Sequence, residues 1–175
     1  MCPNIYGGGA ATNRNGLAFE RETSLESTFE TRGYVIVNKK LILNDSEQGV
    51  ITSKHGLYRD ILLPNHIDWK KRISKQLLPD EVFYNYLNNT IYIFEKKFQS
   101  VAGSVDEKLQ TCDFKKRQFQ KLFSKMSVSI EYIYVLSEWF DKPAYKDVKK
   151  YILSVGCKYF TRIVPLNVLG LPDPS

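Results

Sequence analysis

Apolar and polar residues change their period several times along the chain, and each change predicts an element. Residues 1–15 show no period. Glycine, asparagine and small side chains dominate them, which reads as a flexible arm. From Gly16 to about Arg32, Leu17, Phe19, Leu25 and Phe29 recur at roughly helical spacing, and Gly33 supplies a stop. Short apolar runs at Tyr34–Val37 and Leu41–Leu43, with a third candidate at Gly49–Thr52, read as strands. Asn44-Asp45-Ser46 and Gly56 punctuate them. Ile67–Leu77 is a cationic candidate helix carrying Lys70, Lys71, Arg72 and Lys75.

The second half is patterned more strongly. Two strands, about Glu81–Tyr86 and Ile91–Phe98, flank an Asn88-Asn89 turn. After a break at Ala102-Gly103-Ser104, residues Val105–Met126 read as one helix, with Ser104 and Glu107 spaced as a capping box. Ser127–Leu136 is the clearest buried strand. Pro143–Leu153 reads as a helix with proline in its first turn, ended by Gly156. Lys158–Val164 is a final strand closed by Pro165, and the tail 171–175 reads as irregular. The order helix, strands, helix, strand, helix, strand predicts an α/β fold with helices flanking a mixed sheet. No repeat or linker divides residues 1–175, so a single domain is expected.

The candidate chemistry lies on the paired strands. Leu78-Pro79-Asp80 leads into the first, and Glu95-Lys96-Lys97 ends the second. Alternate residues of a strand share a face, so Glu95 and Lys97 point one way and Lys96 the other. If the strands pair, Asp80 can lie beside Glu95. Two carboxylates and an ammonium would then converge at one end of a sheet, an arrangement suited to holding a divalent cation and a water against a phosphate.

Pro79-Asp80 with Glu95-x-Lys97 resembles the signature of the PD-(D/E)xK nuclease superfamily, and the order of elements is similar to that of small type II restriction endonucleases. The resemblance implies a restriction-endonuclease-like core with a central mixed β-sheet. It implies Asp80 and Glu95 as ligands of Mg²⁺, Lys97 to orient or deprotonate the attacking water, and a glutamate on the first helix in support. Glu20 matches that last place in type and order, with Glu22 and Glu26 as competing positions. The activity implied is Mg²⁺-dependent, sequence-specific endonuclease cleavage of double-stranded DNA, leaving a 5′ phosphate. Symmetric cutting of a palindrome calls for a homodimer. On this reading residues 76–165 are the catalytic core. Residues 34–75, long for a minimal core, are a DNA-recognition insertion.

Composition agrees with a polyanionic partner. The 175-residue chain carries a formal net charge of +6 and is 43% hydrophobic, enough for one core and a cationic surface that attracts phosphate. Candidate DNA contacts are Asn13, Arg14 and Asn15 beside the arm, Lys39, Lys40, Lys54 and Arg59 in the insertion, Gln99 on the face of Glu95 and Lys97, and Lys115, Lys116 and Arg117 on the long helix. Cys2, Cys112 and Cys157 are scattered and odd in number, which suggests free thiols in a reducing cytoplasm. Neither a secretory signal nor a membrane span is expected. The competing readings are a structure-selective nuclease such as a Holliday-junction resolvase or repair enzyme, a DNA-binding protein of the same fold without catalysis, and a domain whose basic charge is incidental.

Overall fold

Seven strands form one mixed sheet in chain order: β1 (Val35–Val37), β2 (Lys40–Leu43), β3 (Ser46–Thr52), β4 (Glu81–Asn85), β5 (Thr90–Lys97), β6 (Ser129–Leu136) and β7 (Lys158–Thr161). The computed structural model describes residues 8–100 and 105–174. Strands β1 to β5 run antiparallel, whereas β5, β6 and β7 are parallel. The change of direction has a local cause. Short turns join β1 to β2, β2 to β3 and β4 to β5, and residues 53–80 link β3 to β4, while the later strands are separated by helices α3 (Val105–Leu109), α4 (Cys112–Leu122) and α5 (Lys146–Ser154), and parallel neighbours require such crossovers.

The sheet is covered on both faces. Helices α1 (Gly8–Glu22) and α2 (Leu25–Thr31) pack Phe19, Leu25 and Phe29 against Phe83, Tyr92 and Phe94. The chain after β7 returns to this face and adds Val164, Leu166, Leu169 and Leu171. On the opposite face, Phe119 and Leu122 of α4 and Ile152 of α5 meet Ile91, Ile93, Tyr132 and Tyr134. Strand β6 is therefore buried on both sides, which explains its uninterrupted apolar run.

Several sequence expectations need correction. Residues 8–15 belong to α1 rather than to a flexible arm; residues 1–7 lie outside the described residues. The expected helix over 16–32 is broken at Thr23-Ser24, where the Thr23 hydroxyl turns back to donate to the Phe19 carbonyl at 2.7 Å. The helix over 105–126 is broken at Gln110-Thr111, where the Thr111 hydroxyl donates to the Lys108 carbonyl at 2.8 Å. Ser104, the expected cap, lies outside the described residues. Ile67–Leu77 forms only a short 3-10 turn at Trp69–Lys71, while an unforeseen π-helical turn occupies Leu57–Leu62.

Residues 34–75 divide in two. The short strands expected in their first half join the central sheet at one edge as β1, β2 and β3. The two-residue turns Asn38-Lys39 and Asn44-Asp45 have positive φ at both positions (49° and 69°, 49° and 58°). That is the left-handed geometry which matches the twist of a tight hairpin, and asparagine and aspartate adopt it readily. Only residues 53–75 leave the sheet.

Gly49 shows how closely β3 and β4 approach. A Cβ there would meet the Tyr84 carbonyl oxygen at 2.1 Å and the Phe83 ring at 2.8 Å. Gly49→Ala should therefore push β3 from β4 and cost about 1–3 kcal/mol, as overpacking does. A fall in the midpoint of urea unfolding would measure it; an unchanged midpoint would show that the strands can separate freely.

Cys112 and Cys157 are free and buried; Cys2 lies outside the described residues. Among the described residues no helix is long and apolar enough to cross a membrane.

Candidate active site

The pairing of β4 with β5 brings the expected residues to one end of the sheet. Glu81 lies opposite Phe94, so Asp80, one residue before β4, falls beside Glu95. The Lys96 backbone N–H donates to Asp80 Oδ2 at 2.7 Å, closing this end of the ladder. Burial pushes the Asp80 carboxyl above its ordinary range, and the charge of Glu95 pushes it further. The Lys96 N–H and the Lys97 ammonium oppose that rise, while Glu20 adds to it. Asp80 therefore experiences the charges of all three other candidate catalytic residues.

Glu95 is held on both oxygens. Lys97 Nζ donates to Oε2 at 2.9 Å, and Lys115 Nζ from α4 stands 3.3 Å from Oε1. Tyr134 pairs with Glu95 across the parallel ladder, and Tyr132, two residues earlier, shares its face. Both phenols are buried and pushed well above the usual tyrosine range, first by burial, with the Glu95 charge contributing. They stay protonated and make a low-dielectric floor under the carboxylate.

Lys96 points to the other face. Its ammonium meets Glu81 Oε2 at 2.8 Å and donates to the Glu20 carbonyl at 2.9 Å, with a side chain only 4% exposed. Glu81 in turn accepts from the Leu25 N–H on both oxygens, at 3.2 and 3.3 Å. The cation thus satisfies a carbonyl of the last turn of α1, and the anion satisfies an N–H in the first turn of α2. Each charge matches the helix end it faces. Lys96 and Glu81 hold the site's framework rather than its chemistry.

Glu20 is exposed on α1. Together with Asp80, Glu81, Lys96, Lys39 and Lys54 it lines an open groove of about 620 Å³. Glu95 and Lys97 do not line this groove; they lie on the α4 side, with Asp80 between. The site is thus two-sided, with Glu20 and Asp80 on the open groove and Glu95, Lys97 and Lys115 grouped behind.

The donors suit a hard cation in type. Among the described residues, no three His, Cys, Asp or Glu side chains converge closely enough to cage a metal. Mg²⁺ needs no such cage, since it keeps several waters and takes one or two carboxylates. Asp80 and Glu95 supply two. Burial first and the Glu95 charge second raise the Asp80 carboxyl, and a cation beside it would favour its charged form.

The remaining candidates scatter. The Asn13 side chain lies outside the described part, while Arg14 and Asn15 are exposed on α1. Lys39 pairs with Glu26 and Lys40 with Glu47, each at 2.7 Å, and Arg59 pairs with Asp60 at 2.6 Å. Lys54 is exposed, and its N–H, donating to the Pro79 carbonyl at 2.9 Å, fastens the 53–55 turn beside Asp80. Gln99 is only 6% exposed, and neither atom of its amide finds a hydrogen-bond partner among the described residues. Lys116 donates to the Gly156 carbonyl at 2.6 Å and Arg117 to Asp113 at 3.0 Å, so the cationic run on α4 divides three ways. Only Lys115 of that run reaches the site. The signal was present in the sequence: Cys112, Lys115, Phe119 and Leu122 are spaced as one helical face, which places Lys115 on the apolar stripe.

No family model matches the chain. No curated protein and no solved structure matches it either.

Proposed function

We propose that the chain is a Mg²⁺-dependent DNA endonuclease built on a restriction-endonuclease-like core. The observation that carries this reading is the grouping of Asp80, Glu95 and Lys97 at one end of the β4–β5 pair, in the register that the resemblance requires. The α/β frame supports it. A helix with Glu20 precedes the strands, and a helix bearing Lys115 follows them before a parallel strand. The net charge of +6 suits a polyanionic substrate.

Asp80 and Glu95 would hold the cation, with Glu20 supporting it from the groove. Bound there, Mg²⁺ supplies neutralisation of the phosphoryl oxygens and a water made acidic enough to attack. Lys97, whose ammonium lies 2.9 Å from Glu95 Oε2, would orient the attacking water. Tyr132 and Tyr134 keep bulk water from the rear of Glu95 and strengthen each charge on the site. Lys54 and the other exposed cations of the groove would position the phosphate backbone. Double-stranded DNA cut at a short site by a homodimer, in the manner of a type II restriction enzyme, is the preferred form of the activity.

One observation favours a second form. Because β1 to β3 belong to the sheet, only residues 53–75 of the stretch 34–75 stand clear of it for reading bases. A small reading surface suits a structure-selective nuclease, such as a junction-resolving or repair enzyme. Digestion of plasmid, branched and single-stranded DNA with Mg²⁺, followed by end mapping, separates the forms. Discrete plasmid fragments with 5′ phosphates are expected of a restriction-type enzyme. Cleavage confined to branched DNA identifies the structure-selective form, and no cleavage of any substrate overturns the proposal.

A further inference from the structure

We propose that Lys115 is a positioning residue that couples binding of the divalent cation to capture of the DNA phosphate. The inference rests on the nuclease reading above. It starts from an inconsistency between the site as it stands and the site as it must work. Both oxygens of Glu95 are already taken by ammonium groups, Lys97 on Oε2 and Lys115 on Oε1. A cation that ligates Glu95 would stand within a few ångströms of both ammonium groups, and the like-charge repulsion favours departure of the more weakly held one.

The structure makes the two lysines unequal. Lys97 lies on the same strand as its partner, two positions away, with a side chain 16% exposed. Its contact at 2.9 Å is local and needs no movement of any other element. Lys115 reaches across from α4 at 3.3 Å, and its side chain is 34% exposed. The longer, wetter pair is the weaker one, and a flexible four-carbon stem can swing outward without disturbing the helix. Lys115 is therefore the group that leaves.

Lys116 and Arg117, beside Lys115, already have their own partners, the Gly156 carbonyl and Asp113. Released, Lys115 becomes a mobile cation beside Glu95, on the α4 side, within reach of a phosphate held by the cation that Glu95 ligates. In the resting protein it neutralises Glu95; in the loaded protein it holds substrate. Cation and DNA then favour each other, since each makes the Lys115 handover less costly for the other. Such coupling is reciprocal by linkage.

The test is titration of Mn²⁺ into the DNA-free protein, followed by electron paramagnetic resonance, for wild type, Lys115→Met, Lys115→Arg and Asp80→Asn. Lys115→Met removes the competitor and should bind Mn²⁺ roughly three- to tenfold more tightly than wild type. Lys115→Arg keeps the charge and should stay near wild type. In steady-state cleavage, Lys115→Met should raise KM for DNA more than it lowers kcat, and the salt dependence of DNA binding should lose about one phosphate contact. A structural role alone would not tighten cation binding. If Asp80→Asn weakens Mn²⁺ binding but Lys115→Met leaves it unchanged or weaker, the handover is wrong and the site reading survives. If wild type binds no Mn²⁺, or Asp80→Asn binds it equally well, the site reading fails and the handover with it.

Discussion

Replacing Lys97 by methionine is expected to slow Mg²⁺-dependent cleavage by about two to four orders of magnitude, the range for loss of a positioned proton-handling group, while the protein stays folded. The two halves of that expectation have separate physical grounds. Loss of activity follows from position: the Lys97 ammonium lies 2.9 Å from Glu95 Oε2, beside the carboxylate that would hold the cation, and methionine fills the same volume without a charge or a donor. Survival of the fold follows from redundancy. Glu95 retains Lys115 at 3.3 Å on its other oxygen, so no buried carboxylate is left without a counter-charge. Single-turnover cleavage and a thermal melt measure the two halves. Cleavage within about tenfold of wild type would remove Lys97 from the chemistry. A collapse of the melt would mean that Lys115 does not compensate, and that the site is held together by Lys97 itself.

The strands of the site were legible because their signals are local. Pro79-Asp80, the Asn88-Asn89 turn and the apolar runs beside them put Asp80 opposite Glu95 through short-range pairing alone. Alternation along β5 likewise separated Glu95 and Lys97 from Lys96, and the ammonium of Lys96 does turn to the helix face. What was not legible depends on residues far apart in the chain. Nothing local marks Glu81 as the partner that ties Lys96 to Leu25, since the contacts join residues of α1, α2, β4 and β5. The break between α1 and α2 at Thr23-Ser24 is stabilised by that same pair, so a window of helical spacing ran straight through it.

The strands at 34–37, 41–43 and 49–52 were legible as short apolar runs, but their place in the central sheet was not. The two hairpin turns use asparagine, aspartate and lysine at positive φ rather than glycine, so the turn residues alone do not announce which strands pair. Lys115 was grouped with Lys116 and Arg117 by charge, although its spacing from Cys112 and Phe119 already distinguished it. Charge is read residue by residue, whereas the helical face decides which charge meets the site.

Lys96→Met should produce the opposite phenotype to its neighbour: a loss of about 3–5 kcal/mol in stability, the usual consequence of breaking a buried ion pair from one side, with cleavage retained by the molecules that remain folded. The Lys96 side chain is 4% exposed and that of Glu81 14%, so the abandoned carboxylate cannot recover its hydration. The Glu20 carbonyl would lose its donor in the last turn of α1 as well. Removing both charges together, in Glu81→Gln with Lys96→Met, should restore roughly half of the loss or more. A neutral amide can still accept from the Leu25 N–H, and replacing a whole buried pair costs far less than orphaning one member. Urea unfolding of the two single variants and the double variant would give the coupling directly. The comparison with Lys97 also tests the assignment of the Glu-x-Lys pattern itself. Should Lys96→Met stop cleavage at unchanged stability while Lys97→Met is harmless, the reacting face of β5 would be the one toward α1 and α2. The grouping of Glu95, Lys97 and Lys115 would then be structural, and the open groove with Glu20, Asp80 and Lys96 would be the site.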